Sequence, residues 1–149
     1  EEFLLVRPDA QAGDPVPTLA ELGRMQLLLL EEGHCFRDQA ISVCKLPRLP
    51  TGEIIEGSSL STLVQMVAAG IGVTLIPQMA RGLETRSASV AIDRLAKPRP
   101  GRTIGLVWRK PNPLGDRFIA LAGTLQSALA VRDASSFDCV SSSELPCGA

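Results

Sequence analysis

The stretch GHCFRDQAISVC, residues 33–44, holds the only histidine of the chain and two of its four cysteines. His34 is next to Cys35, and Cys44 follows nine positions after Cys35. Thiols and an imidazole in this arrangement are compatible with four interpretations. They could form a metal site, a nucleophile with its base or a redox pair, or the thiols could simply fill a core.

A metal site and a cysteine hydrolase both lack residues that they need. Structural zinc takes four ligands, usually in short paired spacings, whereas Cys139 and Cys147 lie far away in a serine-rich stretch. A catalytic thiol needs an oriented base, but adjacent turn residues such as His34 and Cys35 seldom align, and there is no second histidine. We therefore expect no metal and no other cofactor.

A redox thiol fits the layout around Cys35 best. This residue falls at the start of a predicted helix that follows a strand, where unpaired backbone N–H groups and the helix dipole stabilise a thiolate. Arg37 and Arg102 are candidate cations beside it. Peroxide oxidises an accessible thiolate to a sulfenic acid, which Cys44 could convert to a disulfide.

The spacing of Cys35 and Cys44 limits how such a pair could work. Nine helical positions separate the two residues by roughly 13 Å along the axis and turn their side chains to opposite sides. A disulfide needs Cα atoms roughly 4.4–6.8 Å apart, so the thiols cannot bond while the segment is helical. Either oxidation rebuilds the segment, or Cys44 is a small buried hydrophobic residue.

Short strands and helices alternate along the chain. Apolar runs predict strands within residues 2–6, 25–30, 52–58, 68–77, 89–95 and 103–110. Helices are predicted after a capping box at Thr18–Glu21, over residues 35–45, after a cap at Ser58 or Ser59, and over residues 116–132. This order predicts an α/β fold with mostly parallel strands, whose ligand sites lie beyond the carboxyl ends of the strands. The turn with His34 and Cys35 lies at such an end.

Composition and charge disfavour several classes of protein. The 149 residues suit one domain or a two-lobed piece of a larger one. The basic residues between 81 and 117 lack interleaved aromatics, which favours a solvated surface over a nucleic-acid face. No run is long enough for a membrane span, and EEFLLV lacks both Met and a basic signal region. We expect a fragment of a cytoplasmic protein with no membrane partner.

Three segments carry a resemblance to a known family. LLLLEEGHCFRDQAISVC (27–44), GSSLSTLVQMVAAGIGVTLIPQMA (57–80) and KPRPGRTIGLVWRKPNPLGDRF (97–118) resemble the LysR-type transcriptional regulators, and within them the hydrogen-peroxide-responsive OxyR group. The likeness runs from about Glu1 to Arg132. The GHC-x-RDQA motif and the nine-residue cysteine spacing are its most specific features.

The resemblance implies a role for each candidate site residue. Cys35 would be the peroxidatic cysteine and Cys44 the resolving one. His34 and Asp38 would line the peroxide pocket, and Arg102 would match the arginine that favours the thiolate. Ser58 and Ser59 match a turn that holds small anions in inducer-binding relatives, although helix capping alone also explains them.

The resemblance also implies the domain organisation. The fold would be a periplasmic-binding-protein-like LysR effector domain, with one complete lobe plus part of the other. Residues 1–7 would form a crossover strand and residues 8–100 the regulatory lobe II with the redox segment. Residues 101–132 would be the return strand and helix of an incomplete lobe I, and residues 133–149 a disordered serine-rich tail. The apolar face of helix 116–132 would then need a cover, such as a dimer or a strand swap.

The function implied by the resemblance is redox sensing in a transcriptional activator. Peroxide would oxidise Cys35, a disulfide with Cys44 would change dimer packing, and transcription of antioxidant genes would switch. The partners would be hydrogen peroxide, further copies in a homodimer or tetramer, RNA polymerase, and DNA only through a winged helix-turn-helix absent from this sequence. One alternative is a LysR effector domain that binds a small organic acid while its cysteines are idle. A thiol peroxidase or reductase is the enzyme alternative, but a C-x-x-C motif and a second polar cluster are missing, so we expect no enzyme.

Overall fold

The structure is a computed structural model that describes residues 1–44 and 55–135. These residues form two compact units, one of Glu1–Thr103 and one that starts at Ile104. The first unit contains the strands β1 (Phe3–Pro8), β2 (Leu28–Leu30), β3 (Ile55–Gly57), β4 (Thr74–Pro77) and β5 (Val90–Arg94). Its helices are α1 (Leu19–Leu22), α2 (Cys35–Val43), α3 (Leu60–Ala68) and α4 (Arg81–Glu84), and the second unit holds α5 (Gly115–Ser135).

Strand β1 is the middle strand of an antiparallel part of the sheet. It pairs with β4 on one side and β5 on the other, so that Leu5 lies opposite both Leu75 and Asp93. The sequence-based prediction of mostly parallel strands is wrong for this part of the sheet. A continuous apolar run such as FLLV indicates burial on both faces but carries no information about strand direction.

Strands β2 and β3 form the parallel part. They pair with Leu29 opposite Glu56, and a parallel bridge between Leu27 and Val73 connects this pair to the start of β4. Helix α2 follows β2 and helix α3 follows β3, and such crossovers are what neighbouring parallel strands require. The carboxyl ends of β2 and β3 therefore meet at one edge, where both helices begin.

The helix starts follow the predicted caps. Thr18 and Glu21 complete a capping box before α1, in which the Thr18 N–H donates to Glu21 Oε2 at 2.8 Å. Hydrogen bonding to Thr18 lowers the pKa of the exposed Glu21 carboxylate. Ser59, and not Ser58, caps α3 by accepting a hydrogen bond from the Thr62 N–H at 3.1 Å. Local side-chain chemistry therefore defines where both helices begin.

The strand predicted within residues 103–110 is not formed. Backbone pairing ends at Arg102, whose N–H donates to the carbonyl of Glu1 at 2.8 Å. The apolar residues that follow are exposed, and Val107 is 96% exposed. They have no ladder partner within the part of the chain that the structure describes. A β-prone run becomes a strand only where a neighbouring backbone accepts and donates its hydrogen bonds.

Helix α5 confirms the helix predicted over residues 116–132 and continues to Ser135. Leu121, Leu125 and Leu129 on its predicted apolar face are 46%, 45% and 42% exposed. The cover that we expect for this face stays a prediction. None of the helices within residues 1–44 and 55–135 is long and apolar enough to cross a bilayer.

The serine-rich stretch of residues 136–149, with Cys139 and Cys147, lies outside the described residues. The same holds for the amino-terminal part of the strand predicted over residues 52–58. The predicted division of the chain after residues 7, 100 and 132 stays a prediction, although the two compact units separate nearby, after Thr103.

Candidate functional site

A glycine turn connects β2 to α2. Leu28–Leu30 are buried, and Gly33 has a φ of 97°, a left-handed conformation that glycine adopts without steric cost. His34 is the N-cap residue of α2, and its side chain makes no capping hydrogen bond. Cys35 is the first helical residue, as the sequence predicts.

The first turn of α2 brings three predicted site residues together. His34, Cys35 and Asp38 are all exposed there, and the His34 carbonyl accepts a hydrogen bond from the Arg37 N–H at 2.9 Å. The thiol of Cys35 therefore faces solvent at the helix end that stabilises negative charge. An exposed thiol at this position can reach and attack a small oxidant.

Phe36 anchors this turn in the core. It is 7% exposed, and its ring meets the Phe3 ring edge-on with 5.2 Å between the centroids. The guanidinium carbon of Arg102 lies 5.6 Å from the centroid of the Phe36 ring. Arg102 is thus brought to the residue next to Cys35 by a cation–π contact.

Arg102 is also held by Glu1. Its Nε donates to Glu1 Oε2 at 2.7 Å, and the backbones of the two residues exchange hydrogen bonds. In the described part of the chain, no hydrogen bond joins Arg102 to Cys35 or His34. The structure therefore places this predicted residue beside the helix start without a direct bond to the thiol.

Arg37 makes an ion pair and a hydrogen bond to the backbone. Its Nη1 donates to the Leu30 carbonyl at 2.7 Å and to Glu56 Oε1 at 2.5 Å. The sequence-based suggestion that Arg37 serves the thiolate stays a prediction, and like Arg102 this arginine is paired with an acid. Sequence reasoning missed Glu56. The signal was that Glu56 lies in one predicted strand and Arg37 in the first turn of the helix after another, so parallel pairing of these strands brings the two residues to one edge of the sheet.

Cys44 occupies the opposite end of α2. It is the C-cap residue, its N–H donates to the Ala40 carbonyl at 3.1 Å, and it is 4% exposed. Burial raises the pKa of the Cys44 thiol from its ordinary value of 9.0 to about 11. Both cysteines are free thiols, and nine residues of helix keep them roughly 13 Å apart along the axis. The predicted helix between separated thiols is confirmed.

The stability of the protein should depend on pH through Cys44. Because the pKa of Cys44 is about 11 in the folded state and 9.0 ordinarily, the unfolded chain loses this proton first as pH rises. The buried, protonated Cys44 thiol therefore makes its full contribution to the stability of the folded state below pH 9, and this contribution is lost between pH 9 and about 11. Urea denaturation at several pH values in this window measures it.

The Cys44→Ala variant is the control for this pH effect, since it keeps every other titratable group. The difference in unfolding free energy between the two proteins should shrink as pH rises through the window. A constant difference at all pH values would contradict the assignment of the effect to Cys44.

A metal-binding cluster is not found in the described part of the chain. Within residues 1–44 and 55–135, no group of three or more His, Cys, Asp and Glu side chains is close enough to hold an ion.

Residues 1–130 match the family described as the LysR substrate binding domain. This chain belongs to that family. The α/β fold predicted for a LysR effector domain is thereby confirmed. The strands β2 and β3, with α2 and α3, form the part of this LysR domain that carries Cys35 and Cys44.

Two curated relatives of the LysR domain bear names that refer to transcription. A probable hydrogen peroxide-inducible genes activator of Mycobacterium avium is 41% identical over 129 residues, which cover 84% of this chain and 41% of that protein. The DNA-binding transcriptional dual regulator OxyR of Escherichia coli K12 is 40% identical over 111 residues, which cover 74% of this chain and 36% of that protein. The chain spans about two fifths of the length of these relatives.

Solved structures are similar as well. A cysteine-to-serine mutant of Corynebacterium glutamicum OxyR with bound hydrogen peroxide has a TM-score of 0.71 and 29% identity. The similar part covers 91% of this chain and 46% of the OxyR chain. A crystal structure of the reduced form of OxyR has a TM-score of 0.69 and 36% identity, with coverage of 85% and 60%. The resemblance of this LysR domain to the OxyR group is therefore confirmed.

Proposed function

We propose that this chain is the redox-sensing regulatory domain of a LysR-type transcriptional activator that responds to hydrogen peroxide. The observation that carries the proposal is the placement of two free thiols on one helix. Cys35 is exposed at the start of α2, and Cys44 is buried at its end. The names of the relatives support this function over a domain that binds a small organic acid with idle cysteines.

The proposed oxidation has two balanced steps. The Cys35 thiolate attacks one oxygen of hydrogen peroxide, the O–O bond breaks, and hydroxide leaves and takes up a proton, so that Cys35 becomes a sulfenic acid. The Cys44 sulfur then gives up its proton and attacks the Cys35 sulfur. The S–O bond breaks, a second water leaves and the disulfide forms. Two electrons pass from the thiols to peroxide, and a separate thiol reductant must return them.

Three further residues have proposed roles around Cys35. His34 and Asp38 would line the peroxide pocket, which their exposed positions on the first turn of α2 support. Arg102 would favour the Cys35 thiolate through its positive charge, and its contact with the Phe36 ring supports this role.

The second step requires α2 to be rebuilt. Cys44 must leave its buried position, because the intact helix holds the two sulfur atoms too far apart for a bond. In the complete regulator, this change would alter the packing of a homodimer or tetramer. DNA bound through a winged helix-turn-helix, together with RNA polymerase, would then respond by transcribing antioxidant genes. The protein would act in the cytoplasm as a stoichiometric sensor and not as an enzyme that turns over.

Thiol-specific mass spectrometry after exposure of the reduced protein to micromolar hydrogen peroxide tests the proposal. We expect rapid loss of the free thiols of Cys35 and Cys44 and the appearance of a peptide linked through these two residues. Inert thiols with a thermal shift produced by small organic acids would support the inducer-binding alternative. Continuous consumption of peroxide with a recycling reductant would support the peroxidase alternative.

Replacing Arg102 with alanine should slow the oxidation of Cys35 by about tenfold at neutral pH, because a cation near a thiolate typically contributes ~1–2 kcal/mol. The second-order rate constant with hydrogen peroxide measures this effect. Arg99→Ala is the matched control, since Arg99 is likewise paired with an acid, Glu2 at 3.2 Å, whereas Arg102 is the arginine over the Phe36 ring next to Cys35. Equal slowing in both variants would contradict a specific role for Arg102.

A further inference from the structure

Arg37 connects the first turn of α2 to the last residue of β2 and to β3. One nitrogen, Nη1, donates both to the Leu30 carbonyl at the end of β2 and to Glu56 Oε1 in β3. The Arg37 side chain is 13% exposed and the Glu56 side chain 34% exposed, so the ion pair is partly shielded from solvent. Charge-assisted hydrogen bonds of this kind are stronger than neutral ones.

This connection depends on the helical form of α2. Arg37 lies two residues after Cys35, inside the segment that must be rebuilt before Cys35 and Cys44 can meet. In the described form the Arg37 guanidinium contacts Leu30 and Glu56, and opening of the first turn would break both contacts. Glu56 belongs to β3, on the sheet side of the contact, and carries the charge that holds Arg37 in place.

We propose that Glu56 is a positioning residue that sets how readily the Cys35–Cys44 disulfide closes. It stabilises the reduced, helical form through Arg37 and so opposes ring closure. The inference rests on the proposed redox function and adds a residue that controls how readily the disulfide forms. Glu56 touches neither thiol, and its effect should fall on the rebuilding of α2 instead of the attack on peroxide.

The equilibrium between dithiol and disulfide tests this role directly. The reduction potential is measured by incubating the protein in glutathione redox buffers and measuring the free thiols of Cys35 and Cys44 by peptide mass spectrometry. In Glu56→Gln, the ratio of disulfide to dithiol should rise about fivefold at a fixed buffer. This corresponds to a potential about 20 mV more negative, since tenfold is about 30 mV for a two-electron couple.

Glu32→Gln is the matched control. Glu32 is an exposed acid in the turn before Cys35, so this variant loses the same charge from the same neighbourhood without touching Arg37. Its potential should equal that of the wild-type protein. Equal shifts in both variants, or no shift in either, would overturn the proposal.

A double-mutant cycle separates the ion pair from a general loss of stability. Arg37→Gln removes the same pair from the other side, and should also favour the disulfide. If the two residues act through each other, Glu56→Gln should add little to Arg37→Gln. Fully additive shifts would contradict the proposal. If Glu56→Gln does not fold, the reduction potential of Arg37→Gln compared with that of Glu32→Gln still tests the proposal.

The kinetics give a second readout that a merely structural role would not produce. In Glu56→Gln, closure of the disulfide after peroxide addition should speed up more than formation of the Cys35 sulfenic acid. Faster sulfenic acid formation with unchanged closure would overturn the proposal. Failure of the wild-type protein to form any Cys35–Cys44 disulfide is a different result, which would refute the proposed function itself.

Discussion

Replacing Cys35 with serine is expected to abolish the response to hydrogen peroxide. Of the two cysteines at the ends of α2, Cys44 is then left; its thiol is 4% exposed, and burial raises its pKa to about 11, so at neutral pH it is neither accessible nor ionised. Because the thiolate is the form that attacks peroxide, we expect oxidation to slow by more than about 100-fold. Quenched alkylation, digestion and mass spectrometry measure the loss of free thiol at Cys44 separately from Cys139 and Cys147.

The Cys44→Ser variant separates the two thiols. It should react with peroxide at Cys35 at a rate close to that of the wild-type protein, but stop at the sulfenic acid, which a dione reagent traps. Oxidation of Cys44 in Cys35→Ser at the wild-type rate would exclude the proposed order of events. So would an unreactive Cys35 in Cys44→Ser.

Replacing Phe36 with alanine is expected to destabilise the first unit by about 3–5 kcal/mol, the range for large-to-small changes at buried aromatic residues. The variant removes a side chain that is 7% exposed, together with its edge-on contact to Phe3. It also removes the ring on which Arg102 lies. Urea denaturation should show a lower midpoint.

Two control variants make this prediction specific. Phe36→Leu keeps most of the volume and should cost less than about 1.5 kcal/mol. Phe118→Ala deletes the same atoms from a half-buried ring in the second unit, where the Trp108 centroid lies 5.6 Å away, and should also cost less. If Phe36→Ala were no more damaging than Phe118→Ala, Phe36 would not be the anchor of α2.

The position of α2 was predictable because local signals agree. A buried strand, a glycine turn and the prolines after residue 45 bracket a helix over residues 35–45, and the structure has it at Cys35–Val43. Cys35 therefore falls at the helix start, and Cys44 directly after the helix end. Capping chemistry was equally local, as the Thr18–Glu21 box shows. Such features depend on side chains within one turn of each other.

The strand predicted within residues 103–110 shows the opposite case. Its composition is typical of a strand, but strand formation also needs a neighbouring backbone, which lies far away in sequence. The antiparallel pairing of β1 with β4 and β5 was missed for the same reason, since burial of FLLV is equal in either direction.

The amino-acid sequence alone established the chemistry available to this protein: one histidine, a cysteine at a helix start, and a second cysteine nine residues later. It also established that a helix keeps these thiols apart, because helical rise follows from local backbone geometry. Tertiary packing was needed to learn which groups are paired. Tertiary packing buries Cys44 and raises the pKa of its thiol, pairs Arg37 with Glu56, and places Arg102 over the Phe36 ring. These contacts join residues distant in the chain, and their burial and charge pairing arise only when the sheet is assembled.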